Sequence, residues 1–147
     1  MSRENVETVR RIYAAFESFD RGTPEATAAN PDVLAFVQET IDPDVELEQL
    51  AAIPGTGGTF RGYAGLLAAW QELAEGFEGL RFVPQREFDA GEGRVVVDVL
   101  ALATGRESGV RPETRLGHLL ELRDGRVVRW TVFPTLAEAL EAVGLPE

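Results

Sequence analysis

The chain has 147 residues, 14 of them basic and 25 acidic, for a formal charge of −11. Every basic residue is arginine; lysine and cysteine are absent, and His118 is the only histidine. Those gaps exclude Schiff-base and P-loop chemistry, thiol catalysis, iron–sulfur clusters, cysteine zinc sites and any multi-histidine metal centre.

Apolar residues make up 44% and charged residues 27%, the balance of an ordinary folded domain. A chain of this length buries roughly 68–70% of its unfolded surface, enough for one core without staples. With no repeat and no low-complexity tract, residues 1–147 read as a single domain. The negative excess repels phosphate backbones and anionic lipid, so neither nucleic acid nor a membrane surface is an expected partner. No secretory apolar region and no run of ~18 apolar residues is visible, so a cytoplasmic location is expected.

Val6, Val9, Ile12, Tyr13, Phe16 and Phe19 recur at helical spacing opposite Glu4, Glu7, Arg10 and Arg11. They predict an amphipathic first helix ending near Asp20-Arg21-Gly22. Thr23-Pro24-Glu25 and Asn30-Pro31-Asp32 each read as an N-cap, a proline at the first helical position and an acidic first turn. The second of these opens a helix that Asp42-Pro43 stops. Val45 and Leu47 then alternate with Glu46 and Glu48, which predicts a short strand over 44–50. Pro54 to Gly58 is a loop, and Phe60-Arg61-Gly62 leads into a helix with Tyr63, Leu66, Leu67, Trp70, Leu73, Ala74 and Phe77 on one stripe. Strands follow at about 80–88, 95–104, 114–122 and 127–133, with turns at Ala90–Gly93 and Arg123-Asp124-Gly125. A last helix over 136–143 stops at Gly144. Helices first and an antiparallel meander afterwards define an α+β fold.

The segment from Glu4 to Phe16 resembles the opening helix of SnoaL-like members of the nuclear transport factor 2-like superfamily. Asp42-Pro43-Asp44-Val45-Glu46 resembles their first strand, Phe60-Arg61-Gly62 the approach to their third helix, and Leu122–Arg129 their closing hairpin. Glu138–Leu145 resembles their tail, so the ordered set covers most of the chain. The resemblance implies a cone-shaped, curved antiparallel sheet closed by the N-terminal helices, with an internal apolar pocket. It also implies frequent dimers through the sheet. The chain departs from the family by about a dozen extra residues near Thr23–Pro31, and by Pro134-Thr135 where many relatives carry an aspartate.

Gly55-Thr56-Gly57-Gly58 lacks the strand–turn–helix setting of a dinucleotide fingerprint, and Gly105–Gly109 lacks the spacing of a nucleophile elbow. Asp42, Asp44, Glu46 and Glu48 alternate as in a calcium loop, but Leu47 stands where that loop needs glycine. In the ketosteroid-isomerase branch the catalytic base falls near Glu48. The phenol and the protonated acid which that chemistry also needs fall on Ile12 and Gly117, so classical isomerisation is not expected.

Asp98 is the one acid in Val95–Leu100 and either faces the pocket or pairs with Arg115 or Arg129 outside. The candidate catalytic residues are therefore Glu48, Asp98 and His118, with a carboxylate preferred as the base because desolvation alone raises its pKa. Tyr13, Phe16, Trp70 and Trp130 are the expected ligand-binding walls. No cofactor or metal is implied. The function expected is binding of a small, mostly apolar molecule. It is either a cofactor-free acid–base isomerase, cyclase or hydrolase, or a non-catalytic binding or dimeric scaffold protein. A homodimer is expected because Val96, Leu100 and Leu102 make the outer sheet face too apolar to leave wet.

Overall fold

The computed structural model describes residues 2–18, 23–50 and 57–146. Phe19, the stop at Asp20–Gly22 and the loop residues Pro54–Thr56 lie outside them. The elements run α1 (Ser2–Ser18), α2 (Pro24–Ala28), α3 (Pro31–Thr40), β1 (Ile41–Gln49), β2 (Gly58–Arg61), α4 (Gly62–Gly76), β3 (Phe77–Gly91), β4 (Arg94–Gly105), β5 (Glu113–Arg123), β6 (Arg126–Phe133) and α5 (Leu136–Ala142).

Local chemistry sets most of these boundaries. Thr23 accepts a hydrogen bond from the Ala26 N–H, and Asn30 accepts one from the Asp32 N–H; a proline follows each cap. These bonds satisfy N–H groups that a helix start leaves open. Glu92-Gly93 and Asp124-Gly125 carry positive φ at both central positions, 56° and 77° in the first turn and 54° and 79° in the second. Such pairs match the twist of a two-residue hairpin.

The strands form one curved sheet in the order β2-β1-β6-β5-β4-β3. All neighbours are antiparallel except β1 and β6. The parallel register slips between Ile41 and Glu46, and this irregularity accommodates Pro43 inside a strand. The strand therefore begins at Ile41, ahead of the predicted start. β2 was expected only as an extended approach to the helix; it pairs with β1 from Glu46↔Arg61 to Gln49↔Gly58. Phe77 opens β3 instead of closing α4.

The sheet has two distinct faces. The inner face carries Val45, Leu47, Val95, Val97, Val99, Leu116, Leu120, Val127 and Trp130, packed with Val9, Ile12 and Tyr13 of α1 and Ala69 of α4. On the outer face, Val96 and Leu119 pack under Ala139, Leu140 and Val143 of the C-terminal segment. The expected exposure of Val96 is thus corrected: the chain's own last helix covers it. Gly117 makes that docking possible. A Cβ there would lie 2.6 Å from Ala139 Cβ and 2.7 Å from the Thr135 carbonyl oxygen. Even alanine would push α5 off its seat.

Candidate functional site

Between the inner sheet face and the helices lies a cavity of about 430 Å³. α1 contributes Tyr13 and Phe16, while α4 contributes Leu66, Ala69 and Trp70. Thr27 and Ala28 of α2 and Val33, Leu34 and Val37 of α3 close one side. The residues added near Thr23–Pro31 therefore form part of the wall. Leu47, Phe82, His118 and Trp130 supply the sheet side. Tyr13, Phe16, Trp70 and Trp130, expected as walls, all line this space. Phe16 lies nearly parallel to Trp130, with 6.5 Å between ring centroids and 10° between planes.

Polar groups on this lining are few and mostly engaged. Tyr63 donates its hydroxyl to the Ile41 carbonyl at 2.8 Å. Glu17 accepts from the Arg81 guanidinium at 3.2 Å. Gln49 was not anticipated; it shares the inward parity of Val45 and Leu47, which was visible in the alternation that put Glu46 and Glu48 on the other side.

The three candidate catalytic residues do not converge. Glu48 lies opposite Leu47 and outside the cavity, where Arg129 donates to it at 2.8 Å. Asp98 is also turned outward, because Val97 and Val99 on either side of it face the core. It is 5% exposed, and Arg115 donates to it at 2.8 Å. Of the two outside pairings weighed for Asp98, the structure has the one with Arg115. The preference for a carboxylate base finds no support in these positions, since both acids are separated from the cavity by the sheet itself.

His118 faces inward and is 3% exposed. Its Nδ1 lies 2.6 Å from the Tyr13 hydroxyl and 3.2 Å from Trp130 Nε1. An indole N–H can only donate, so Nδ1 must be an acceptor. The Tyr13 hydroxyl consequently donates to Nδ1 as well, and the neutral ring carries its proton on Nε2. That N–H is buried and has no partner among the described residues. An unsatisfied buried donor costs about 1–3 kcal/mol.

Burial also governs the charge states. Desolvation holds the His118 pKa down at about 3 from an ordinary 6.5. Desolvation, with a smaller contribution from the Glu87 charge, pushes the Tyr13 phenol well above 10. At neutral pH the pair is a neutral imidazole and a neutral phenol, and an imidazole whose pKa is held this far down is a weak base. Among the described residues no three His, Asp or Glu side chains gather as a metal site, and no helix is long and apolar enough to cross a membrane.

A family model described as the SnoaL-like domain matches residues 9–130. The chain belongs to that family. A solved NTF2-like protein of unknown function from Burkholderia pseudomallei K96243 is 23% identical, with 96% of this chain and 98% of that one covered and a TM-score of 0.69. A putative SnoaL-like polyketide cyclase from Jannaschia sp. CCS1 is 23% identical over 99% of this chain and 94% of that one, with a TM-score of 0.65. A phenazine biosynthesis-related protein from Pseudomonas aeruginosa is 19% identical over 99% and 88%, with a TM-score of 0.64. At these identities the likeness is one of fold. No curated protein matches the chain.

The shifted histidine has a consequence for stability. An unfolded chain takes up the His118 proton near pH 6.5, whereas the folded chain does so only near 3. Between those values the unfolded state binds the extra proton, so the folded state gains stability as pH rises, by at most ~1.4 kcal/mol per unit. The contribution is complete above the unfolded value and is lost as pH falls toward the folded one. Nitrogen-15 NMR of the sole histidine should show a neutral ring protonated on Nε2, unchanged from about pH 8 to about pH 5. A titration midpoint close to the ordinary imidazole value would contradict it.

Proposed function

We propose that this chain binds a small, mostly apolar molecule inside the cone, without acting on it by acid–base chemistry. The observation that carries this reading is the cavity itself. Its volume of about 430 Å³ falls in the range of small-molecule sites. Among the described residues Tyr13, Phe16, Tyr63, Trp70, Phe82 and Trp130 line it with aromatic rings. Burying a hydrocarbon ring system there exchanges water for apolar contact at roughly 25 cal/mol per Å². A packed scaffold would have filled the space with its own side chains.

The catalytic alternative, an isomerase, cyclase or hydrolase of the kind the cyclase-like neighbour's name suggests, needs a base at the ligand. Glu48 and Asp98 sit across the sheet, the one carboxylate on the described lining, Glu17, is paired with Arg81, and a histidine with a pKa near 3 is a weak base at neutral pH. These facts support binding over proton transfer. The absence of cysteine supports a cytoplasmic setting. A second copy of the chain is the other partner proposed, seated where Leu100 and Leu102 are left half-buried. A light-scattering mass near two chains supports this, and a mass near one chain at micromolar concentration opposes it.

Both tryptophans line the cavity, so intrinsic fluorescence reports its occupancy. Titration with fluorene, a rigid tricyclic hydrocarbon, should give a saturable change. Replacing Ala69, a buried small residue on the wall, by a larger side chain (A69F) should weaken binding by about 10-fold or more by filling the space. No saturable change with the wild-type chain would contradict the reading.

A further inference from the structure

The apolar walls account for a hydrocarbon, but not for His118. Histidine there gives the Tyr13 and Trp130 donors an acceptor at Nδ1, but that role leaves Nε2–H unused. Two separate elements hold the ring. Tyr13 from α1 and Trp130 from β6 both direct their hydrogens at Nδ1, at 2.6 Å and 3.2 Å. Together they leave Nε2–H as the one hydrogen-bonding position of the ring that is not engaged.

We propose that the cavity recognises an uncharged ligand carrying a carbonyl oxygen, which accepts a hydrogen bond from His118 Nε2–H while its apolar remainder fills the aromatic walls. The proposal rests on the binding reading above and names the ligand class of that same cavity. Three features set the class. Nε2 carries the proton, so the ligand must supply an acceptor and not a second donor. The donor is neutral and the Glu17 carboxylate shares the lining, so the site does nothing to hold an anion. The rest of the wall is mostly apolar, with Tyr63 and Glu17 bonded to the Ile41 carbonyl and to Arg81, so one acceptor on an otherwise apolar frame is the complement.

Nε2 lies beneath the cavity surface, so a side chain of the wall must turn to admit the oxygen. Phe82 is a ring neighbour of His118 on the same wall. Its ring centroid lies 5.6 Å from that of His118, and it stands on β3, an edge strand with a single partner. Tyr13 and Trp130 act as positioning residues, since they set which ring nitrogen carries the proton.

Fluorene and 9-fluorenone differ only in a methylene against a carbonyl and test this directly. Wild-type protein should bind fluorenone about 5- to 10-fold more tightly than fluorene, the worth of one net hydrogen bond in a buried site. The His118→Phe variant should still bind fluorene and lose or reverse the preference. Because that variant alters the core, a second readout uses the wild-type chain. Fluorenone should move the Nε2–H proton resonance of the sole histidine downfield, and fluorene should not. Equal affinities in the wild type, a preference that survives H118F, or an Nε2–H resonance unmoved by bound fluorenone would each overturn the proposal. Binding of fluorene without a carbonyl preference would leave the cavity reading standing and remove only this one. Failure of both probes to bind would remove both.

Discussion

The hydrogen-bonded junction of Tyr13, His118 and Trp130 is the constraint on which the cone depends. An amphipathic helix laid on an apolar sheet can slide or rotate with little penalty, because hydrophobic burial is non-directional. α1 buries Val9 and Ile12 completely, and those contacts alone do not choose its rotation. A donor at Tyr13 aimed at one ring nitrogen does. Trp130 Nε1, aimed at the same nitrogen from β6, holds the imidazole plane. The rings also meet edgewise: Tyr13 and Trp130 lie 5.8 Å apart at 61°, and His118 and Trp130 lie 5.7 Å apart at 68°. The helix is thus tied to the sheet at one buried point, and the space between α3, α4 and the inner face stays open.

The parity of the strands decides everything else about the site. Val45 and Leu47 face inward, so Glu46 and Glu48 must face outward, where Arg61 and Arg129 meet them. On β4 the inward series Val95, Val97, Val99 sends Asp98 to the outer face, one strand from Gly117 and within reach of Arg115. A shift of one residue would have exchanged both sets. The same parity places His118 inside and its neighbour Gly117 outside, beneath α5. One strand therefore serves two purposes at adjacent positions, a donor for the cavity and a seat for the last helix.

Much of this was legible in the sequence, and most of the parts that were not depend on pairings distant in the chain. The caps at Thr23 and Asn30 and the turn at Asp124-Gly125 are local chemistry, and they stand where the residues put them. The start of β1 was misplaced because its partner is β6, a parallel pairing across most of the chain that also absorbs Pro43 in an irregularity. β2 is four residues long and exists through its pairing with β1. Asp98 was ambiguous for a different reason. α5 covers the outer face beside it, so β4 is apolar on both sides and the alternation that reveals a face is erased. The junction was hidden because Tyr13 and His118 are 105 positions apart, and a lone histidine in a strand carries no sign of which residues will meet it.

The central claim is that the junction couples α1 to the sheet through a directed bond and not through burial alone. A double-mutant cycle on folding stability with Tyr13→Phe and His118→Phe isolates that coupling, since each change keeps an aromatic ring and removes one partner. The account predicts a coupling of about 1 kcal/mol or more between the two sites. Losses that add to within about 0.3 kcal/mol would contradict it and leave α1 held by apolar contact alone.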